Sequence, residues 1–530
     1  MRGTRRLAWA AVAVCAFIGA IAPAAGAREA TAPPTLTWTP CGTAPNVTCA
    51  TATVPLDYDK PQGQTIKLHL AKSPAIDQEH KIGSLFINFG GPGGTAADRF
   101  ERLGQTYRPG LNQRFDIIAM DPRGVGQSSP AIDCKANQKT QGIYSQPITT
   151  PDNLDVKALI AKDQGYIKRC IQLNDGILAH VSTANVARDI DLLRQSLGEQ
   201  KITYFGYSYG TFLGATYASM FPTHYRAMVL DGPVDADAYI NDPMRGLSAQ
   251  TSGFERALGR FMQACAADRN ACSDFPKSGS DPWDAYDALI DQLNATPLPV
   301  GDDTLDGDDV TTGTAAALYS KANWPLLAKA MADAENGDGS LMKSLSDSFY
   351  GDNGDGTFDP GGDRYFTIGA TEQKYPRDVR TYLSAGQRSW DQHEHFWWNN
   401  GYAELNYGLY PIHDRDAFDG PFKVSSSAVT PLVIGTTYDP ATPYRGAKNL
   451  VRTLGNARLL TMRGDGHTAY NASNSPTCIN PAVEAYVNDG TLPAPGTQCK
   501  QVVGFARLPA VQSFAAVPQV VKLRPHVAPF

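Results

Sequence analysis

The sequence lacks several patterns that mark familiar classes of protein. No Cys-X-X-Cys or His-Glu-X-X-His motif occurs in its 530 residues, so these common zinc-binding spacings are missing. The basic excess of a nucleic-acid binder is also missing, because 53 acidic residues outnumber 47 basic ones for a net charge of −6. No internal repeat or low-complexity tract interrupts the chain. We therefore expect no metal, cofactor or nucleic-acid partner.

Long apolar runs are equally scarce, and the one exception lies at the N-terminus. Basic residues within 2–6 precede an apolar run over 7–21, and the small residues 25–27 follow it. This order predicts a secretory signal peptide at residues 1–27 and a secreted, extracellular protein with no membrane contact after cleavage. A membrane anchor is the weaker reading, since a bilayer span needs about 20 apolar residues. A twin-arginine signal is matched only in part.

Cysteine content agrees with export. One of the nine cysteines lies within the signal peptide, which leaves eight in the mature chain. Eight cysteines allow about 105 pairings, so spacing alone cannot choose among them. Pairing of sequence neighbours is the simplest expectation in an oxidising compartment, with a zinc site as the weaker alternative. The predicted disulfides are Cys41–Cys49, Cys134–Cys170, Cys265–Cys272 and Cys478–Cys499.

Strand-like and helical segments alternate along much of the chain. Buried-strand runs such as "GSLFINF", "FDIIAM" and "YRAMVLD" end in polar or glycine-rich loops, and "ANVARDIDLLRQSLG" has helical spacing. Such alternation predicts an α/β protein with a mostly parallel sheet covered on both faces. About 500 mature residues exceed one hydrophobic core. The predicted division is signal peptide 1–27, extended lead-in 28–40, first part of the core 41–235, mainly helical cap insertion 236–424, second part of the core 425–505 and C-terminal tail 506–530.

The stretch "ITYFGYSYGTFLGATYA" places a serine between two tyrosines and two glycines. Gly206-Tyr207-Ser208-Tyr209-Gly210 fits the G-X-S-X-G pattern, with a strand-like run before it and a helical run after it. Small residues are needed two positions to either side, because the strand and helix would otherwise collide at the sharp turn. The turn exposes the hydroxyl beside a helix N-terminus. We predict that Ser208 is a nucleophile; an ordinary glycine-rich turn is the alternative.

A serine nucleophile needs a base and an acid that orients the base. In folds with this motif the acid follows the serine in sequence and the histidine follows the acid. Asp439 comes after the apolar run "PLVIG", and His467 comes after "LLTM". Asp439 would also suit a helix N-cap, and Asp465 is a competing acid, although it lies only two residues before His467. We predict Ser208, Asp439 and His467 as a catalytic triad.

The oxyanion that forms during acyl transfer needs two N–H donors. One is expected from Tyr209, the residue after the nucleophile, and the other from the loop after an early strand. The sequence "GGPGG" at residues 90–94 occupies that place, and glycine permits a close backbone approach. A plain Gly-Pro turn is the alternative.

Taken in order, "FGGPGG", "DPRGVGQS", "GYSYG", "YDPATP" and "GDGH" resemble the secreted tripeptidyl aminopeptidases of the actinobacterial type, which are α/β-hydrolases related to prolyl iminopeptidase. The resemblance implies an α/β-hydrolase fold with an inserted, mainly helical cap. It also implies a serine exopeptidase that releases short peptides, often tripeptides, from a free N-terminus. A preference for proline at the position before the cleaved bond is one option within this reading. Gly91 and Tyr209 match the family's oxyanion donors. Phe89 departs from the prolyl iminopeptidase pattern, which has histidine there.

An aminopeptidase must also hold the substrate ammonium, for which a desolvated carboxylate at a fixed distance from the nucleophile is suited. The resemblance implies acidic residues of the cap, with solvated surface acids as the alternative. Our candidates, in order, are Glu372, Glu394 and Glu404. An aromatic segment offers side chains to line the peptide channel, and packing within the cap is an equal alternative. The channel candidates are Trp397, Trp398 and Tyr402.

We therefore predict a secreted, monomeric serine exopeptidase that acts on the N-termini of peptides or proteins. The same triad would serve a single-residue iminopeptidase, or a secreted carboxylesterase or lipase, because fold does not fix function. A hydrolase-fold binding protein without catalysis is a third reading.

Overall fold

The computed structural model describes residues 31–143, 145, 150–470 and 478–508. The predicted signal peptide lies outside these residues, as does the tail after residue 508. No helix in this described part of the chain combines the length and apolar composition that a bilayer crossing requires.

A ten-stranded sheet forms the centre of the molecule, with strand order β1-β2-β3-β5-β4-β6-β7-β10-β11-β12. The pairs from β5 through β12 along this order are parallel, whereas β1, β2 and β3 are antiparallel to their neighbours. The remaining strands, β8 and β9, form a small antiparallel hairpin. The strands are β1 (Thr39–Pro40), β2 (Thr48–Pro55), β3 (Thr65–Ser73), β4 (Gly83–Asn88), β5 (Phe115–Asp121), β6 (Ile202–Tyr207), β7 (Tyr225–Asp231), β8 (Leu298–Val300), β9 (Asp303–Leu305), β10 (Leu432–Tyr438), β11 (Arg458–Asp465) and β12 (Gln498–Lys500).

Helices follow most of the parallel strands, and several begin after an aspartate that caps the first turn. The side chains of Asp155, Asp281 and Asp378, for example, accept main-chain N–H groups that the helix itself leaves unpaired. The helices of the described residues are α1 (Ala97–Leu103), α2 (Pro109–Asn112), α3 (Val156–Asn174), α4 (Thr183–Ser196), α5 (Gly210–Met220), α6 (Ala236–Asn241), α7 (Pro243–Ala267), α8 (Pro282–Ala295), α9 (Gly307–Leu318), α10 (Trp324–Glu335), α11 (Ser340–Tyr350), α12 (Gly361–Glu372), α13 (Val379–Trp390), α14 (Leu405–Leu409), α15 (Tyr444–Leu454) and α16 (Ile479–Asp489).

The central strands place their side chains in two apolar layers. In β6, Ile202 and Tyr204 pack on one face of the sheet, and Phe205 and Tyr207 pack on the other. This division follows from the two-residue side-chain period of a strand. Helices α4, α5 and α15 cover the first face, and α1 and α16 cover the second. A mostly parallel sheet buried on both faces is therefore observed, as predicted.

Between β7 and β10 the chain leaves the sheet and forms α6 to α14 together with the β8–β9 hairpin. These elements surround a separate apolar cluster. Helix α3 joins the same cluster, although the sequence division assigns it to the core segment 41–235. Apolar side chains on one face of α3 pack in this cluster. Asp363 of α12 links the two parts further, because its carboxylate accepts hydrogen bonds from the Tyr166 hydroxyl and the Cys134 N–H. We refer to residues 236–424 as the insert; its role as a cap remains a prediction.

The four predicted disulfides are present, each between sequence neighbours. The Cα–Cα distances are 5.7 Å for Cys41–Cys49, 4.5 Å for Cys134–Cys170, 5.0 Å for Cys265–Cys272 and 5.7 Å for Cys478–Cys499. These separations lie within the usual range for a disulfide. With all eight sulfurs paired, none of these cysteines offers a thiolate ligand, and the zinc alternative loses its ligands.

Candidate active site

Ser208 sits on the turn between β6 and α5. Its φ of +54° lies in the left-handed region, which a non-glycine residue adopts only at a cost. A Cβ at Gly206 would overlap the carbonyl oxygen of Gly210, and a Cβ at Gly210 would lie 2.7 Å from Oδ1 of Asn88. The two glycines are therefore a steric condition of the turn. The Ser208 N–H is held by the carbonyl oxygen of Asp231 at 2.9 Å.

The glycine-rich loop after β4 lies against the same turn. A Cβ at Gly90 would lie only 2.8 Å from the Ser208 Cβ, so no other residue permits this approach without movement. Gly91 and Tyr209 line the same cavity as Ser208. Neither the Gly91 N–H nor the Tyr209 N–H donates to another described residue. Both predicted oxyanion donors are thus unoccupied and close to the serine.

Asp439 and His467 meet at the ends of the neighbouring strands β10 and β11. Nδ1 of His467 lies 2.9 Å from Oδ2 and 3.0 Å from Oδ1 of Asp439. Asp439 is completely buried and also accepts the N–H groups of Ala441 and Thr442, so it stabilises the following turn as well. A carboxylate on Nδ1 fixes the tautomer in which Nε2 is the free base.

Ser208 Oγ and His467 Nε2 each lack a hydrogen bond to the described residues, so the Ser–His hydrogen bond is not formed in this structure. Catalytic hydrogen bonds often tighten only when substrate is bound. The edge of the Tyr319 ring faces the imidazole, with ring centroids 5.7 Å apart. The imidazole is thus oriented by Asp439 on one side and keeps an unoccupied nitrogen on the other.

Thr442 is a member of this site that sequence reasoning missed. Its hydroxyl lies 3.0 Å from Oδ2 of Asp439 and 3.2 Å from Nδ1 of His467. Its place three residues after the acid, on the turn that Asp439 caps, is the only signal the sequence offers.

The competing acid, Asp465, makes no hydrogen bond to the imidazole in the described part of the chain. Its carboxylate forms ion pairs with Arg260 and Lys321, both of which belong to the insert. The geometry therefore favours Asp439 over Asp465 as the acid that orients His467.

A cavity of about 210 Å³ adjoins Ser208. One side is formed by the core loops, and the other by the insert. Tyrosine dominates its walls, which therefore combine flat apolar rings with hydroxyl groups that bind polar groups. The tyrosines are Tyr209, Tyr239, Tyr319, Tyr365, Tyr375 and Tyr407.

Glu372, the first candidate for the substrate ammonium, does not line this cavity. Its Oε2 accepts from the Thr183 N–H at 2.7 Å, and its Oε1 accepts from the hydroxyls of Thr183 at 2.9 Å and Tyr239 at 3.1 Å. Burial raises the pKa of Glu372 to about 7. The Thr183 hydroxyl lies 2.5 Å from that of Tyr209. Glu372 thus braces the wall of the cavity, which argues against its predicted contact with substrate.

Glu404 is also completely buried, but its carboxylate is only half engaged. Oε2 accepts from the Gly401 N–H at 2.8 Å and from Nδ2 of Asn400 at 3.1 Å. Oε1 makes no hydrogen bond of ordinary geometry to the described residues, although the Tyr375 hydroxyl is close enough to the carboxylate to lower its pKa against the larger effect of burial. Burial raises the pKa of Glu404 to about 7. Burial and then the nearby Glu404 carboxylate raise the pKa of Tyr375, whose ring lines the cavity.

The other predicted contacts of the insert lie elsewhere. Glu394 and Trp397 line a second cavity with His395, apart from Ser208. Trp398 and Tyr402 are buried and stack on each other with centroids 5.3 Å apart. The prediction that Trp397, Trp398 and Tyr402 line a channel at the serine is corrected, because none of the three lines the cavity next to Ser208.

Comparisons with known proteins agree with this fold. A family model described as "TAP-like protein" matches residues 411–499, and one described as "alpha/beta hydrolase fold" matches residues 85–271. The predicted α/β-hydrolase fold is thereby confirmed.

Curated relatives cover nearly the whole chain. "Serine protease Hip1" of Mycobacterium tuberculosis is 32% identical over 519 residues, 93% of this chain and 97% of the relative. "Carboxylesterase B" of the same species is 32% identical over 456 residues, 85% of this chain and 86% of the relative. "Tripeptidyl aminopeptidase" of Streptomyces lividans is 28% identical over 461 residues, 86% of this chain and 83% of the relative. The chain is a serine hydrolase that belongs to the actinobacterial tripeptidyl aminopeptidase family of α/β-hydrolases.

Proposed function

We propose that the protein is a secreted serine aminopeptidase that releases short peptides, tripeptides in particular, from free N-termini. The observation that carries this proposal is the cavity that joins Ser208 on the core side to Tyr375 and Tyr407 on the insert side. The completely buried Glu404 does not itself line this cavity, but its carboxylate lies next to Tyr375. A buried carboxylate beside aromatic rings suits a substrate ammonium. Secretion is supported by the four disulfides.

In the proposed reaction, Ser208 Oγ attacks the carbonyl carbon of the cleaved peptide bond while Nε2 of His467 takes its proton. Asp439 orients the imidazole and stabilises the imidazolium that forms. The N–H groups of Gly91 and Tyr209 hold the resulting oxyanion. His467 then gives the proton to the leaving amine as the C–N bond breaks, which leaves an ester on Ser208. Water, activated by His467, hydrolyses the ester and frees the short peptide.

Recognition of the substrate amine is assigned to the Tyr375 and Tyr407 end of the cavity. Tyr407 follows Glu404 by three residues, and its N–H donates to the Glu404 carbonyl at 3.0 Å, so both residues are parts of one turn. A cation near aromatic faces and a buried carboxylate is well stabilised. The distance from this end to Ser208 would set the length of the released peptide, at about 3.3–3.6 Å per extended residue. The tyrosine rings also suit a proline ring before the cleaved bond.

The experiment compares a free-amine peptide with its N-acetyl form, using the purified mature chain. We predict that Ala-Ala-Pro-p-nitroanilide with a free amine is cleaved. Its N-acetyl form should be cleaved at least about 100-fold more slowly, because acetylation removes the positive charge of the substrate amine. Ser208→Ala is the control for background hydrolysis. Equal cleavage of the free and acetylated peptides would rule out the aminopeptidase.

A carboxylesterase is the second candidate, favoured by the relative named "Carboxylesterase B". It predicts that a p-nitrophenyl ester is hydrolysed with a higher kcat/KM than either peptide. Release of proline alone from a free N-terminus would instead identify a single-residue iminopeptidase.

A further inference from the structure

Arg260 of α7 contacts both of the loops that carry the acid and the base. Its guanidinium carbon lies 3.6 Å from the centroid of the Tyr438 ring, and Tyr438 immediately precedes Asp439. The same guanidinium donates through Nη2 to Oδ2 of Asp465 at 3.2 Å and through Nε to Oδ1. Asp465 precedes His467 by two residues. Arg260 of the insert thus contacts a residue close in sequence to the predicted acid and a residue close in sequence to the predicted base.

The contacts of Arg260 lie where the pairing of β10 and β11 becomes irregular. Tyr438 and Asp465 are paired across β10 and β11, and the register of the two strands shifts between Thr436 and Tyr438. Beyond that shift the strands end and the loops with Asp439 and His467 begin. Main-chain pairing alone therefore no longer sets the spacing of the two loops, and an external contact that spans both has a direct effect on it.

The insert makes two more contacts with the His467 loop. Lys321 donates to Oδ2 of Asp465 at 3.2 Å, and the carbonyl oxygen of Tyr319 accepts from the His467 N–H at 2.7 Å. Asp465 itself is buried, so its charge needs these partners. The insert thus contacts the loop of the base through Arg260, Lys321 and Tyr319.

We propose that Arg260 is a positioning residue, which fixes the Asp439–His467 geometry by clamping Tyr438 to Asp465 and so makes catalysis depend on the seating of α7 against the core. A guanidinium meets this task because its flat face stacks on a ring while its edge forms a fork with a carboxylate. Lysine carries the charge but cannot do both. The inference rests on the proposed serine mechanism, but not on the identity of the substrate.

The test uses Arg260→Met, Arg260→Lys, Asp465→Asn and the double variant Arg260→Met/Asp465→Asn in the full mature chain. Arg380→Met is the matched control, since Arg380 of α13 pairs with Asp378 on the surface of the same insert at 2.8 Å. Each variant is assayed for kcat and KM on the free-amine nitroanilide and for the second-order rate of labelling by a fluorophosphonate. Labelling requires Ser208 activated by His467, but no peptide recognition.

We expect Arg260→Met to lower kcat and the labelling rate together by about 10- to 100-fold with KM changed by less than about twofold, since small misplacements have such effects. Arg260→Lys should recover part of the loss. The double variant should lose less than the product of the two single losses, because both changes break the same contact between Arg260 and Asp465. Arg380→Met should match the wild type. If Arg260→Met does not fold, as judged by circular dichroism, Asp465→Asn must show a loss in kcat of about 10- to 100-fold and Arg260→Lys a smaller loss.

Wild-type kcat in the folded Arg260 variants, or a loss confined to KM, would overturn the inference. A wild-type chain that is labelled but does not cleave the peptide would refute the proposed function instead. In that case the labelling rates of the variants still decide the role of Arg260.

Discussion

The carboxylate of Asp231 accepts a hydrogen bond of 2.8 Å from the main-chain N–H of Tyr470. It also accepts the Ala469 N–H at 3.0 Å, and both donors lie just after His467. The carbonyl oxygen of Asp231 meanwhile holds the Ser208 N–H. The end of β7 therefore ties the turn of the proposed nucleophile to the loop of the proposed base.

Asp231→Asn is predicted to weaken this tie, because an amide replaces one acceptor oxygen with an NH₂ group that cannot accept. We expect kcat to fall about 10-fold and the free energy of unfolding to fall by about 1–3 kcal/mol, the usual effect of leaving a buried group unpaired. Peptide kinetics and urea unfolding measure the two effects. Asp489→Asn, which changes an exposed side chain, should alter neither. Wild-type values in Asp231→Asn would show that Ala469 and Tyr470 need no charged acceptor.

Thr442 is predicted to support the acid. Thr442→Val keeps the shape of the side chain but removes the hydroxyl that contacts Asp439. Since hydrogen bonds to charged groups contribute about 1.5–3 kcal/mol, kcat should fall about 10-fold or more while KM stays nearly constant. Thr442→Ser keeps the hydroxyl and should retain most of the activity. A serine variant as impaired as the valine variant would assign Thr442 to packing.

Glu404→Gln is predicted to impair peptides and spare simple esters. Loss of the carboxylate removes the proposed charge for the substrate amine, so kcat/KM on the free-amine peptide should fall about 100-fold. Hydrolysis of a p-nitrophenyl ester, which has no amine, should change by less than about twofold. Glu394→Gln is the control, because Glu394 lines the second cavity. A parallel loss on both substrates would mean that Glu404 supports the fold and not the amine.

Glu404 should also make stability depend on pH. Burial raises its pKa in the folded protein to about 7, above the value of about 4.3 for an unfolded chain. The folded state then binds the proton more tightly, so the stability from Glu404 is complete below about pH 4 and is lost as pH rises to about 7. Relative to the wild type, Glu404→Gln should gain about 3–4 kcal/mol between pH 4 and pH 8 in urea unfolding. A difference that stays constant with pH would contradict the raised pKa.

The features that the sequence predicts well depend on steric requirements between residues that are close in sequence. The positions of Gly206 and Gly210 specify a tight strand–helix turn, because any larger side chain meets Gly210 or Asn88. The disulfides join sequence neighbours and need no knowledge of distant contacts. The loop at residues 90–94 consists almost entirely of glycine, and this composition predicts that its backbone lies close to another part of the chain.

The orientation of side chains in the insert could not be predicted from local sequence patterns. Glu372, Glu394 and Glu404 are alike in sequence, yet one braces Tyr239, one lines a second cavity and one is buried behind Tyr375. These outcomes depend on how several helices pack, which no local pattern records. The contact between Arg260 and Asp465 spans 205 positions of the chain and is equally invisible to motif reading.

The most direct test of the account is mass spectrometry of the products from a series of free-amine peptides incubated with the mature chain. If the protein is the proposed aminopeptidase, each peptide loses its N-terminal tripeptide. The same peptides are not cleaved after acetylation, and Ser208→Ala gives no products. Cleavage of acetylated peptides at the same rate, or turnover by Ser208→Ala, would contradict it.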